Sequence, residues 1–208
     1  MMAVTGLAWC GFVVTHMAGN LLMFAGADAY NSYSHKLTSN PLIYVAEAGL
    51  VVTLLAHMFF AIRVSLENRR ARPVGYAVGP HGEKGGVNFA SKTLAYSGML
   101  IFAFVVWHLI TFKYGPVYPV FYQGDVIRDL HRLVLEVFQS TLYFGGYLFM
   151  MVVLAAHLSH ALWSSLQTLG LVKAGRETCM HQASIAFGLI VGGGFALTPL
   201  YVYFTMRN

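Results

Sequence analysis

Residues 43–66 read IYVAEAGLVVTLLAHMFFAIRVSL, and this stretch decides the fold. It holds one acid, Glu47, and one base, Arg63, among 24 residues. At 1.5 Å per residue a helix of that length reaches about 36 Å, more than the roughly 30 Å of a bilayer's hydrocarbon core. Four further stretches have the same character: 2–25, 90–112, 137–163 and 183–204. Lipid leaves exposed backbone unsatisfied, so helices are the default way across. The expectation is an all-α integral membrane bundle of five transmembrane helices, one domain over residues 1–208. Composition agrees. Hydrophobic residues make up 57% and charged residues 10%, against about a quarter charged in a soluble domain. Mean hydropathy is +0.62. A disordered chain, a nucleic-acid-binding domain and an ordinary cytosolic enzyme are excluded on this ground.

The first stretch lacks a basic leader and is too long for a signal peptide's apolar core, so it reads as a span. Met1-Met2 opens straight into it, which leaves room for a cytoplasmic leader ahead of it in the full protein. Cys10 and Cys179 make neither a disulfide framework nor a zinc site. Of the 13 Lys and Arg, eight border two connections on one side: Arg63, Arg69, Arg70, Arg72, Lys84 and Lys92, then Lys173 and Arg176. The other side has five: Lys36, Lys113, Arg128, Arg132 and Arg207. The positive-inside rule puts the N-terminus inside and the C-terminus outside. Residues 72–86 read as a surface connector. Val126, Ile127, Leu130, Leu133 and Val134 recur at helical spacing, which predicts either an amphipathic interfacial helix over 125–136 or an extension of the fourth span.

Nine histidines stand in this charge-poor chain, five of them inside spans: His16, His57, His108, His157 and His160. Ionisable residues at that depth are costly and mark function by default. Counted at 1.5 Å per residue from the inner helix ends, His16 and His108 lie at roughly 21 and 27 Å, and His57 and His157 at roughly 14 and 9 Å. That makes an outer and an inner pair roughly 13 Å apart. His160 lies one turn further in than His157, which matches His57 better. The Ala155-Ala156 pair and Gly19 read as room for a bulky ring. Two imidazoles on different helices at one level can clamp a flat macrocycle from both faces, as in bis-histidine haem ligation. Two haem b groups so placed would form an electron path across the membrane. Two other readings stay open: a transporter with bundle histidines, disfavoured by acid-poor, unbroken spans, and an inert anchor whose histidines only pack.

Several strings taken in order carry a resemblance. They are Met2-Ala3-Val4-Thr5-Gly6-Leu7 with His16-Met17-Ala18-Gly19-Asn20-Leu21, then Ala27-Asp28-Ala29-Tyr30-Asn31-Ser32-Tyr33-Ser34-His35. Leu54-Leu55-Ala56-His57, Trp107-His108, Ala156-His157-Leu158-Ser159 and Ala161-Leu162-Trp163-Ser164 complete the set. Over essentially its whole length the chain resembles the single-subunit dihaem cytochrome b anchor, of the bacterial b558 type, of succinate dehydrogenases and fumarate reductases. The resemblance implies haem ligands at His16, His108, His57 and His157. It implies flavoprotein and iron–sulfur partner subunits, carrying FAD and iron–sulfur clusters, and a quinone, usually menaquinone, in the lipid of a bacterial cytoplasmic membrane. The chain departs from some members at Ala155, where they carry a glutamate on a proton path. Another dihaem quinone-linked anchor, of a hydrogenase or formate dehydrogenase, is the alternative assignment. For the quinone, Glu47 near the outer end of the second span and His35 in the adjoining loop are the candidate proton-handling groups. An inner quinone site near the iron–sulfur subunit is the other possibility.

Overall fold

A computed structural model describes residues 1–70 and 86–206, without the side chains of 69 and 86–93. Five helices are long and apolar enough to cross a membrane, over Met2–Ala25, Leu42–Asn68, Leu94–Lys113, Thr141–Thr168 and Glu177–Thr205. The expected connector from Arg72 lies, apart from Gly86, outside the described residues. So do Lys84 and Arg207 and the side chains of Arg69 and Lys92.

Helix α1 (Met2–Leu21) carries no charged side chain and tightens into a short turn over Leu22–Ala25. It stops at Gly26, whose φ of 101° suits glycine and few other residues. Residues 27–35, expected as loop, instead belong to helix α2 (Ala27–Thr38). Asp28 in its first turn and His35 and Lys36 in its last complement the helix dipole. Buried Asn31 pins it down by donating to Asp129 Oδ1 at 2.8 Å and accepting from the His131 N–H at 2.9 Å. Helix α3 (Leu42–Arg70) starts where Asn40 Oδ1 accepts from the Leu42 N–H at 3.0 Å, with Pro41 between them. Helix α4 (Gly86–His108) continues through a wide π-turn over Leu109–Lys113 directly after His108, so the third span is not one unbroken α-helix.

The single helix expected over 125–136 is corrected. Asp125–Arg128 is strand β2, antiparallel to β1 (Pro119–Tyr122), with Val120 opposite Ile127. The two-residue turn Gln123-Gly124 has φ of 51° and 97°, the mirror-image turn that suits hairpin twist. Helix α5 (Leu130–Gln139) begins only where Asp129 Oδ1 accepts from the Arg132 N–H at 3.0 Å. It buries Leu133, Val134 and Phe138 and leaves the Arg132–Glu136 pair exposed. It is also no extension of the fourth span. Ser140 is extended (φ −73°, ψ 125°), and helix α6 starts afresh at Thr141–Thr168, so the expected 137–163 moves inward by four residues at its start.

Helices α1, α3, α4 and α6 form a ring, each packed on the next, and α7 (Glu177–Thr205) lies behind α1 and α6. The α6–α7 seam is close because glycines let the backbones approach. A Cβ on Gly192 would sit 2.7 Å from Ala155 Cβ and 2.8 Å from Met151 O. One on Gly188 would meet Ser159 Oγ and Ala155 O. Above the bundle, α2 and α5 close over a cluster of Met23, Tyr30, Val134, Phe138, Tyr147 and Val202.

Candidate functional site

Two helices of the ring, α1 and α4, carry a stripe that ends in a histidine. On α1, Thr5, Trp9, Phe12 and His16 follow at i, i+4, i+7 and i+11, one face of a helix. On α4, Ser97, Phe104 and His108 do the same. Cross-helix contacts join these stripes at two levels. At the outer level the His16 and His108 rings lie 5.8 Å apart between centroids and nearly perpendicular. Phe12 stacks on His16, Phe195 flanks it, and Phe104 and Phe112 flank His108. Tyr147 OH of α6 is 3.2 Å from His108 Nδ1. At the inner level Thr5 Oγ1 of α1 is 3.2 Å from His57 Nδ1 of α3, and Ser97 Oγ of α4 is 2.9 Å from His157 Nδ1 of α6. His57 and His157 lie within electrostatic reach of each other. No ring contact joins them among the described residues.

These contacts measure the spacing directly. Thr5 to His16 and Ser97 to His108 are eleven residues each, and Tyr147 to His157 is ten. Each interval gives about 15 to 17 Å between levels, somewhat more than the count from helix ends. The structure thus sets His16 with His108, and His57 level with His157.

Do these residues fit a haem? Among the described residues no three His, Cys, Asp or Glu converge as metal ligands. Histidines in pairs suit an ion whose other positions a macrocycle fills. His57, His108 and His157 each engage Nδ1; the described residues give Nε2 of His108 and His157 no partner, and the His57 ring also lies in reach of the Met2 backbone. His16 differs: its Nε2 lies 3.4 Å from Asn20 Nδ2, a long contact, and the same amide donates to His16 O at 2.8 Å. Small residues flank the inner pair. A Cβ on Gly6 would come within 3.3 Å of His57 Cε1, and one on Gly98 within 3.7 Å of His157 Cε1. Trp9 Nε1 is buried without an acceptor among the described residues, on the same stripe and between the levels. A lone buried N–H is costly, and a carboxylate-bearing macrocycle beside it would satisfy it. The residues fit two bis-histidine haems.

Other expected residues fall elsewhere. Gly19 makes room for a ring, but the ring is that of Tyr33, 2.8 Å from where its Cβ would be. Ala155 faces Gly188 and Gly192 of α7, so it opens no space toward the histidines. A glutamate there would have to push α7 away. His160 lies within electrostatic reach of His181 on α7. Glu47 forms an ion pair with Lys113, which ends the π-turn after His108. His35 is exposed on α2 and lines a cavity of about 280 Å³ with Lys36, Tyr122, Gln123 and Asp125. No hydrogen bond or ion pair joins Glu47 to His35 among the described residues. Thr5, Ser97, Tyr147 and Lys113 were not singled out from sequence. A hydroxyl eleven residues before each of two intramembrane histidines is the signal that marks the first two. The chain matches no family model, no curated protein and no solved structure.

Proposed function

We propose that the chain is the dihaem cytochrome b anchor of a succinate:quinone oxidoreductase in a bacterial cytoplasmic membrane. It would link a flavoprotein subunit with FAD and an iron–sulfur subunit to menaquinone. The observation that carries this reading is four histidines at two levels of one four-helix ring, three of them met at Nδ1 by a hydroxyl of another helix. His16 and His108 would hold the outer haem, His57 and His157 the inner. Bound there, haem would supply one-electron chemistry. The chain's own residues do the rest. Phe12, Phe104, Phe112 and Phe195 keep water from the outer pair. Glu47 lies ten residues outward of His57 on α3, at about the height of the outer pair. Its carboxylate, paired with Lys113, would be the proton-handling group for a quinone bound beside it.

The test is a dithionite-reduced spectrum of the purified complex with haem quantified per chain. Two b-type haems are expected. A fully assembled complex without haem absorbance overturns the reading and returns the histidines to packing or transport. Quinone reduction driven by succinate separates this assignment from an anchor of a hydrogenase or formate dehydrogenase.

A further inference from the structure

The hydroxyls at the inner level have more than one neighbour. Thr5 Oγ1 donates to Met2 O at 3.0 Å while lying 3.2 Å from His57 Nδ1. Ser97 Oγ donates to Leu94 O at 3.0 Å while lying 2.9 Å from His157 Nδ1. A hydroxyl has one proton. Two acceptors compete for that proton, a carbonyl of the hydroxyl's own helix and Nδ1; with the proton on the carbonyl, the oxygen meets the imidazole as an acceptor. Nδ1 must then be the N–H, and a neutral ring keeps its lone pair on Nε2. Both inner histidines meet a hydroxyl in this way, from helices on opposite sides of the ring.

The outer level is built differently. Tyr147 OH has only His108 Nδ1 as a hydrogen-bond partner among the described residues, so it can donate or accept. His16 meets an amide donor, which asks for a lone pair rather than an N–H at Nε2. Each inner histidine thus meets a hydroxyl that can accept from Nδ1 while donating along its own helix, whereas the outer histidines meet a phenol and an amide.

We infer that Thr5 and Ser97 are positioning residues that fix the tautomer of His57 and His157 and present Nε2 to the inner metal. The inference rests on the dihaem reading above. A ligand imidazole whose N–H is accepted by a second group is more basic and better oriented, and loss of that group typically weakens metal binding about 10- to 100-fold. A more basic ligand favours the oxidised iron, so its loss moves the potential upward.

The experiment uses the assembled complex, with Thr5→Val, Ser97→Ala and Thr5→Ser. Haem retention is measured by transfer to apomyoglobin, and midpoint potentials by redox titration. The inner haem is identified as the one missing from His57→Ala. Thr5→Val and Ser97→Ala should each weaken inner-haem retention about 10- to 100-fold and raise its potential, with the outer haem unchanged. Thr5→Ser should restore both properties. Inner retention and potential equal to wild type overturn the inference, as does an equal effect on both haems, which marks a merely structural role. If Thr5→Val does not assemble, Ser97→Ala makes the same test from the opposite helix. A wild-type complex without two haems instead overturns the dihaem reading itself.

Discussion

His157 and His160 stand one turn apart on α6, and they differ in what each meets. His157 reaches Ser97 and lies beside Gly98, both on α4. His160 turns to the α7 side, in reach of His181. Replacing His157 by Ala should therefore leave one haem per chain, and replacing His160 by Ala should leave two. Haem quantified against protein decides it, and loss on removing His160 would move the ligand by one turn. The sequence favoured His157 on level, on the Ala155-Ala156 pair beside it and on the resemblance, whereas its neighbour on α4 depends on how α6 is rotated, which a periodicity does not specify. Glu47 makes the same point. Its position near the outer end of a span was legible, but its ion pair with Lys113 joins residues 66 positions apart. Glu47→Gln should lower quinone-linked turnover by about 10²-fold or more. Succinate oxidation with a soluble dye and both haems should survive. Unchanged quinone turnover would make Glu47 a surface residue and favour an inner quinone site.

Among the elements, α2 is the one that composition concealed. Its sequence is polar, so it reads as loop, yet Tyr30 is 6% exposed and donates to Asn20 Oδ1 at 3.1 Å. Asn20 in turn donates to His16 O. Burial, with a smaller effect from Tyr33, pushes the Tyr30 hydroxyl up to about 12. The folded value lies above the unfolded one of about 10. The stabilisation is then fully present below pH 10 and is lost as pH rises toward 12. Two units correspond to about 2 to 3 kcal/mol. Melting temperature in detergent should fall more between pH 9 and pH 11.5 for wild type than for Tyr30→Phe. An equal fall in both would show that α2 is not held through this hydroxyl. The β-hairpin and α5 were hidden for a related reason. Apolar residues at 126, 127, 130, 133 and 134 fit a helix period, and only pairing with Pro119–Tyr122 and the cap at Asp129 split the segment.

Across the whole molecule, antiparallel packing puts the start of α1, the ends of α3 and α6, and the start of α7 on one face. Under the proposed orientation that face is cytoplasmic and meets the iron–sulfur subunit. Cys179 lies there, exposed on the first turns of α7, while Cys10 is 7% exposed inside the bundle. The chain therefore contains its own topology reporter. A membrane-impermeant maleimide should label Cys179 in inverted vesicles and not in intact cells, with Cys179→Ser as the control. Labelling in intact cells would reverse the orientation.

The sequence by itself determined five apolar helices, the order in which they cross, and the depth of each intramembrane histidine. Those are one-dimensional quantities: hydropathy summed over a window, and 1.5 Å counted per residue. Tertiary structure decided what depth alone does not contain. It decided that α7 stands outside the histidine ring, because Gly188 and Gly192 admit α6 so closely. It decided that Glu47 meets Lys113 rather than His35. It also decided that a hydroxyl on a neighbouring helix holds Nδ1 of each inner histidine. Each of these depends on the rotation of one helix about its axis relative to the next. That rotation is set by packing between residues far apart in the chain.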